Sequence, residues 1–482
     1  MRGSEKVTFG LVVGNRDVFP RELARKGKAE MLRRLEALGH GVISVSETDT
    51  QDGVVESLED AQRCSDLFRA HGSEIDGILV SLPNFGDERS IADAIRRSDL
   101  RVPVFVHAWQ DELPSLSQEL RRDAFCGKFS VCNNLSQYGI AYTLGRSHVT
   151  DPASQTFADE IGRFARTCRI VKGLRTARIG SLGARTTPFK TVRYSEKLLE
   201  ASGISVESKS LMETVNEVRR LGDDDSRVRS KLKALRAHTP KADEAPPDAL
   251  AVSAKLAVVL EDWVAECRLD AFALQCWPAM QDAIRVFPCA VMSMMSDALV
   301  PAACEMDVMG ALAMYALQLA GGSPSALFDW NNNYGKDPDR LILFHCSNCA
   351  VSLMREATVG YNVMAAAVRG VDESYCTLHG RLKSGNVAFA RFRTDDAAGG
   401  ISCCLGSGEI TDDAPDTFGT TGVLQTADLP RLLFFLASHG FEHHVAVNYE
   451  ADIEALHEAL TGYMGWRVYH HNGEAQRHTF DW

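Results

Sequence analysis

The sequence predicts an α/β protein: two αβ layers, each a parallel sheet under helices, followed by a β-rich, barrel-like C-terminal domain. Three observations carry this expectation. Short apolar runs alternate with segments of helical period from the N terminus onward, the pattern of repeated βαβ units. Beyond Leu353 the texture changes to short alternating runs divided by glycine pairs, as antiparallel strands require. A length of 482 residues leaves room for about three domains. The expected divisions are residues 1–172, 173–353 and 354–482.

Residues 7–13 are apolar enough for a strand buried on both faces, and Gly14-Asn15 ends the run. Leu23, Met31, Leu32, Leu35 and Leu38 recur at helical spacing over residues 21–38, with Gly39 as the stop. Strands follow at residues 41–45, 75–81 and 102–107, with helices at 58–68 and 91–97. Units of this kind build an open, Rossmann-like sheet whose ligands sit beyond the carboxyl ends of the strands. The loops there, residues 14–17, 82–85 and 108–110, lack the G-x-G-x-x-G pattern of a dinucleotide site. A second αβ layer starts after a long helix over residues 154–173. It has a strand at 177–182, a loop at 183–189 and a strand at 271–275 that ends on Gln275-Cys276-Trp277-Pro278. Between those strands, Asp223-Asp224-Asp225 and the proline-rich residues 239–247 read as a surface excursion, and 250–268 as a helix. Residues 381–383, 386–393 and 401–405 supply the alternating C-terminal runs, closed by helices near 429–438 and 453–461.

A formal net charge of −12 argues against a nucleic-acid partner, which needs a basic footprint. No apolar stretch reaches the ~20 residues of a membrane helix. Residues 1–6 lead into the first strand without the apolar core of a signal peptide, so no membrane partner and a cytoplasmic location are expected. The cysteines are odd in number, 13, and scattered through apolar contexts, which reads as reduced, mostly buried thiols. Cys346-x-x-Cys349 has no second such pair and reads as packing context rather than a zinc site.

The chemistry concentrates in four segments: Cys304-Glu305-Met306-Asp307-Val308-Met309-Gly310-Ala311, Leu327-Phe328-Asp329-Trp330, Phe344-His345-Cys346 and Glu442-His443-His444. Two separated carboxylates and two histidine positions suit a hard divalent cation, and Mn²⁺ tolerates imidazole best among these. Carboxylates beside such an ion can also move protons. Taken singly, each residue reads sooner as a solvated surface group or an ordinary histidine than as a ligand. Glu305, however, opens the apolar run of residues 308–317, where an unpaired charge is costly. Asp307 reads as a source of structural hydrogen bonds. Neighbours in a strand face opposite ways, so one of His443 and His444 reaches a metal. His107 reads as a satisfied core histidine, and His470, His471 and His478 as solvated.

These segments, with Phe-Asp-Trp-Asn at 328–331 and His-His-Val at 443–445, resemble the L-fucose isomerase and L-arabinose isomerase superfamily of Mn²⁺-dependent aldose–ketose isomerases. The resemblance covers most of the chain, is strongest over about residues 271–353, and says little about which sugar is used. It implies Glu305 and Asp329 as metal ligands and as the acid/base pair of a cis-enediol isomerisation. Which of the two acts at carbon stays open. Motif alignment favours His444 over His443 as a further ligand. His345 matches a ligand of the arabinose branch, and a buried supporting role stays open for it. The implied ion is Mn²⁺, with Mg²⁺ or Co²⁺ as substitutes.

For a sugar substrate, Gln275 and Trp277 offer an amide and an aromatic face just before the metal motif, and His443 a donor. Arg16 resembles an arginine at the fucose branch's substrate site. The resemblance also implies a homotrimer or homohexamer in which the first αβ domain approaches a neighbour's metal pocket. Trp109, Phe85 and Phe19, read as exposed aromatics at one strand-end edge, suit such an interface or a substrate contact. Two alternatives remain. One is an isomerase for a modified or anionic aldose, such as a sulfonated sugar, with Arg16, Lys128, Arg185 and Lys190 as strand-end cations. The other is a non-catalytic sugar-binding protein, which would have no use for paired carboxylates in an apolar setting.

Overall fold

In the computed structural model, which describes residues 6–113, 116–346 and 348–473, the chain divides into two units. Residues 1–5, Ser347 and His478, which entered the sequence reading, lie outside the described residues. The first unit comprises Met1–Lys172 with Glu458–Gly465. Its sheet is parallel and five-stranded, in the order Gly41–Ile43, Thr8–Val13, Gly77–Leu82, Val104–Ala108, Thr143–Leu144. Successive side chains of a strand point to opposite faces, and the apolar runs fill both. Phe9, Leu11, Val13, Leu79 and Phe105 pack on one side with Ala24, Met31 and Leu35 of helix Arg21–Ala37 and with Phe157, Ile161 and Phe164. Val12, Ile78, Val80 and Val106 pack on the other with Phe68, Ile91 and Val131 from three further helices. Residues 458–465 join this unit through Tyr463, whose hydroxyl bonds to Thr143 Oγ1 at 2.8 Å and accepts from the Val104 amide at 3.3 Å.

The second unit, Gly173–His457 with Trp466–Trp482, contains two sheets. One is parallel and four-stranded, in the order Ser205–Lys209, Arg178–Leu182, Ala271–Leu274, Ala302–Ala303. The other is nine-stranded, in the order Met354–Tyr361, Tyr375–Leu382, Thr420–Gln425, Arg340–His345, Ala326–Asn333, His444–Asn448, Gly385–Asp395, Gly400–Ile410, Arg467–His471. A further pairing, Glu409 opposite Gln425, joins Gly400–Ile410 back to Thr420–Gln425. Six antiparallel strands therefore close into a ring, as the barrel expectation required.

This sheet starts earlier than the expected division at residue 354. Ala326–Asn333 and Arg340–His345 pair into it, so Asp329 and His345 stand on barrel strands rather than in the αβ layer. A short strand pattern does not reveal which sheet it will pair with. All thirteen cysteines are free thiols. No described helix is long and apolar enough to cross a membrane.

Candidate metal centre and active site

Glu305 follows the last strand of the four-stranded parallel sheet, in a turn that leads into helix Val308–Gly321. Ligand sites of parallel sheets gather at such carboxyl ends. Glu305 and Met306 both hold left-handed backbone, φ 62° and 63°, a conformation that costs non-glycine residues about 1 kcal/mol or more each. The turn is held by the Met306 amide on Leu274 O at 3.0 Å and by the Asp307 side chain, which caps the helix by accepting from the Gly310 amide at 2.8 Å. A Cβ at residue 310 would stand 2.3 Å from Asp307 Oδ2, so this cap requires the glycine.

Asp329 lies directly opposite His444 on the neighbouring antiparallel strand, and cross-strand partners share a face. Nε2 of the fully buried His444 stands 3.1 Å from Glu305 Oε2 and 3.4 Å from Asp329 Oδ1. Its Nδ1 donates to Asp307 Oδ2 at 2.8 Å. Asp307 is gripped in turn by both terminal nitrogens of buried Arg391, whose Nε donates to Glu442 at 3.0 Å. The result is a continuous chain, Glu442–Arg391–Asp307–His444–Glu305, buried at its three central members, that orients the imidazole from behind. Asp307, expected only to make structural hydrogen bonds, also positions this ring. Arg391 was missed in the sequence. Its one signal is a cation on the same strand face as apolar Val387 and Phe389.

One ligand atom each from Glu305, His345 and His444 lies within 4.8 Å of the others, and so does the set Asp329, His443 and His444. Two buried polar atoms in this cluster, Asp329 Oδ1 and His345 Nδ1, make no hydrogen bond. Buried polar atoms rarely stay unpaired, and carboxylate oxygens with imidazole nitrogens could hold a divalent metal ion. The electrostatics agree. Burial pushes the Glu305 carboxyl up, but the His444 hydrogen bond, the charges of His345 and His444, and Trp277 outweigh it and hold it at about 2. Asp307 lies well below the usual carboxylate range: burial raises it, and Arg391 and His444 pull it down further. Burial opposes a charge on His444, yet its bonds to Asp307 and Glu305 raise it to about 10. The carboxylates thus call for a positive charge at Nε2, which a proton or a metal ion can supply.

The other candidates divide. Trp277 donates Nε1 to Glu305 Oε1 at 2.9 Å. His443 is 43% exposed, with Nε2 3.8 Å from Asp329 Oδ1. Phe189, not singled out in the sequence, stands edge-on to Trp277 and His443 at centroid distances of 5.8 and 5.7 Å. Gln275 spends its Oε1 on the Ala184 amide at 3.0 Å, holding the neighbouring strand-end loop. Arg16 belongs to the first unit, where it pairs with Glu88 and lies 4.4 Å over the Phe85 ring.

Trp109, also in the first unit, departs from the expectation of an exposed aromatic. It is 6% exposed, donates Nε1 to Ser81 Oγ at 3.1 Å, and carries the Arg122 guanidinium over its ring. The ring lies against helix Arg21–Ala37, where a Cβ on Gly27 would come within 3.5 Å of it. Lys128, expected as a strand-end cation, is buried on the His148 carbonyl. His470 and His471, expected to be solvated, are 4% and 1% exposed, because the last strand pairs into the sheet.

Comparison with known proteins identifies the family. Residues 10–175 match the family described as Fucose/sulfoquinovose isomerase, N-terminal domain, and residues 343–471 match L-fucose isomerase, C-terminal domain. The chain is 24% identical over 415 residues to the sulfoquinovose isomerase of Priestia aryabhattai, covering 84% of this chain and 87% of that protein. It is 24% identical over 379 residues to the sulfoquinovose isomerase of Alkalicoccus urumqiensis, covering 77% and 81%. A third relative, the sulfoquinovose isomerase of Clostridium sp. (strain MSTE9), is 27% identical over 252 residues, 50% and 53% of the two chains. The chain belongs to the fucose isomerase-like superfamily of aldose–ketose isomerases.

Proposed function

We propose that the protein isomerises sulfoquinovose, or a closely related sulfonated aldose, to its ketose, with Glu305, Asp329, His345 and His444 holding a divalent cation. The convergence of those four side chains carries the catalytic part of this reading. The names of the relatives, two of them matched over three quarters or more of the chain, support the anionic substrate over a neutral fucose- or arabinose-type sugar.

When bound, the cation supplies Lewis-acid polarisation of the substrate's carbonyl and neighbouring hydroxyl. The proton work falls to the carboxylates. Glu305 is ionised throughout the physiological range and so acts as a base before it acts as an acid. One carboxylate of the Glu305–Asp329 pair accepts the proton from C2. The other moves protons between O1 and O2, and delivery of a proton to C1 of the enediol completes the ketose. His443 and Trp277 stand beside this pair as donor and aromatic wall. Phe189 sits in a loop that also bears half-buried Arg185 and exposed Lys190, cations suited to a sulfonate.

The test is ketose formation from a panel: sulfoquinovose, its neutral counterpart with hydroxyl in place of sulfonate, L-fucose and L-arabinose, each with Mn²⁺. Sulfoquinovose should give the highest kcat/KM, and Arg185→Ala with Lys190→Ala should raise its KM while sparing the neutral sugars. Glu305→Gln should abolish turnover on every member. Equal kcat/KM for a neutral sugar would overturn the substrate, and near-normal turnover by Glu305→Gln would overturn the site.

A further inference from the structure

Away from this centre, and still within the second unit, Glu454, His457 and His470 form another convergence of ligating side chains. Glu454 and His457 stand three residues apart on helix Ile453–Glu458, which places them on one face. His470 comes from Arg467–His471, the strand added parallel to Gly400–Ile410 at the edge of the nine-stranded sheet. One ligand atom from each residue lies within 4.8 Å of the others. The two imidazole rings are 5.0 Å apart at their centroids, and His470 Nε2 is 3.8 Å from Glu454 Oε1.

That last separation is too long for a hydrogen bond and close to what a shared ion requires. Two donors on one tetrahedral Zn²⁺ at 2.0–2.1 Å stand roughly 3.3 Å apart, so a side-chain shift of about 0.5 Å closes the gap. His470 is buried at 4% exposure, and its Nδ1 makes no hydrogen bond. Its other ring nitrogen, Nε2, is the one that faces Glu454. Burial, then the charges of His457 and His471, push His470 down to about 4, and burial lowers His457 as well. The uncharged imidazole is the form that ligates a metal.

We propose that Glu454, His457 and His470 form a second divalent-cation site, of the Zn²⁺ type, separate from the Glu305–Asp329–His444 centre. Three protein ligands leave a fourth tetrahedral position for water. The ion ties the helix that precedes residues 458–465 to the strand that follows them, and closing this excursion serves stability rather than turnover.

The experiment strips the full chain with a chelator and titrates it with Zn²⁺ alone, read by calorimetry. Co²⁺ in a parallel titration reports tetrahedral geometry through its visible absorption. His457→Ala and His470→Ala should each take up one ion fewer per chain than the unaltered protein. His457→Ala should also lose the Zn²⁺-dependent part of the rise in thermal midpoint while keeping Mn²⁺-supported isomerase turnover. In a Glu305→Gln/His444→Ala background one ion should still bind, and adding His457→Ala should remove it. Should His470→Ala fail to fold, the less buried His457 and Glu454→Gln carry the same test. Equal ion uptake by the unaltered chain and His457→Ala would overturn the proposal. So would a Glu305→Gln/His444→Ala chain that binds no ion.

Discussion

Asp307→Asn tests whether His444 is aimed at the metal centre by the residue behind it. The Oδ2 atom of Asp307 accepts from His444 Nδ1 at 2.8 Å and from Arg391 Nη1; Oδ1 accepts from Arg391 Nη2 at 3.1 Å and from the Gly310 amide at 2.8 Å. An amide keeps one acceptor oxygen and places two N–H donors at the other position. At the Oδ1 position those donors would face two groups that can only donate. At the Oδ2 position they face Arg391 and His444, and of these only the imidazole can respond, by accepting at Nδ1. The His444 proton then moves to Nε2, the atom 3.1 Å from Glu305, and blocks it as a ligand. Loss of such an orienting partner typically costs 10–100-fold in metal affinity, about 1.4–2.7 kcal/mol. Breaking a buried ion pair outright costs about 3–5 kcal/mol, and Glu442 still holds Arg391, so the stability loss should stay below that bound. Mn²⁺ titration by calorimetry and urea unfolding of the metal-free chain separate the two effects. Unchanged Mn²⁺ affinity together with retained turnover would refute the tautomer argument, whatever happened to stability.

The adjacent histidines should differ in kind. His444→Ala should lose metal affinity by about 10–100-fold or more, and exposed His443→Ala should chiefly lower kcat; the reverse ordering in a metal titration would exchange their roles. Burial drives the His107 imidazole down to about 3 in the folded chain, against about 6.5 unfolded. The unfolded state binds the proton first, so this stability is complete above about pH 6.5 and lost as pH falls toward 3, by up to about 4–5 kcal/mol. His107→Gln should flatten that part of the pH profile in urea unfolding; an unchanged slope would contradict it. Trp109→Ala empties a buried site bonded to Ser81 and should destabilise the chain by about 3–5 kcal/mol. An unaltered unfolding midpoint would mean the ring contributes little to packing.

The sequence alone determined the αβ beginning, because strands buried on both faces need continuous apolar runs such as residues 7–13, and these survive in one dimension. It also singled out Glu305, since a charge that opens the apolar stretch 308–317 is costly unless it has work to do, while the resemblance to the isomerase superfamily marked Asp329, His345 and the His443–His444 pair. Only the tertiary structure shows how differently the two histidines are placed. Pairing of His444 with Asp329 across the sheet turns its ring toward Glu305, and leaves His443 43% exposed. The same long-range pairing recruited Asp329 and His345 into the barrel, linked Asp307 to Arg391 across 84 positions, and buried His470 beside Glu454. It also covered Trp109, which sequence pattern had placed at the surface. Period and composition record how each residue sits on its own element. They do not record which element it will meet, and the contacts that aim a ligand or orphan a buried nitrogen arise only from that meeting.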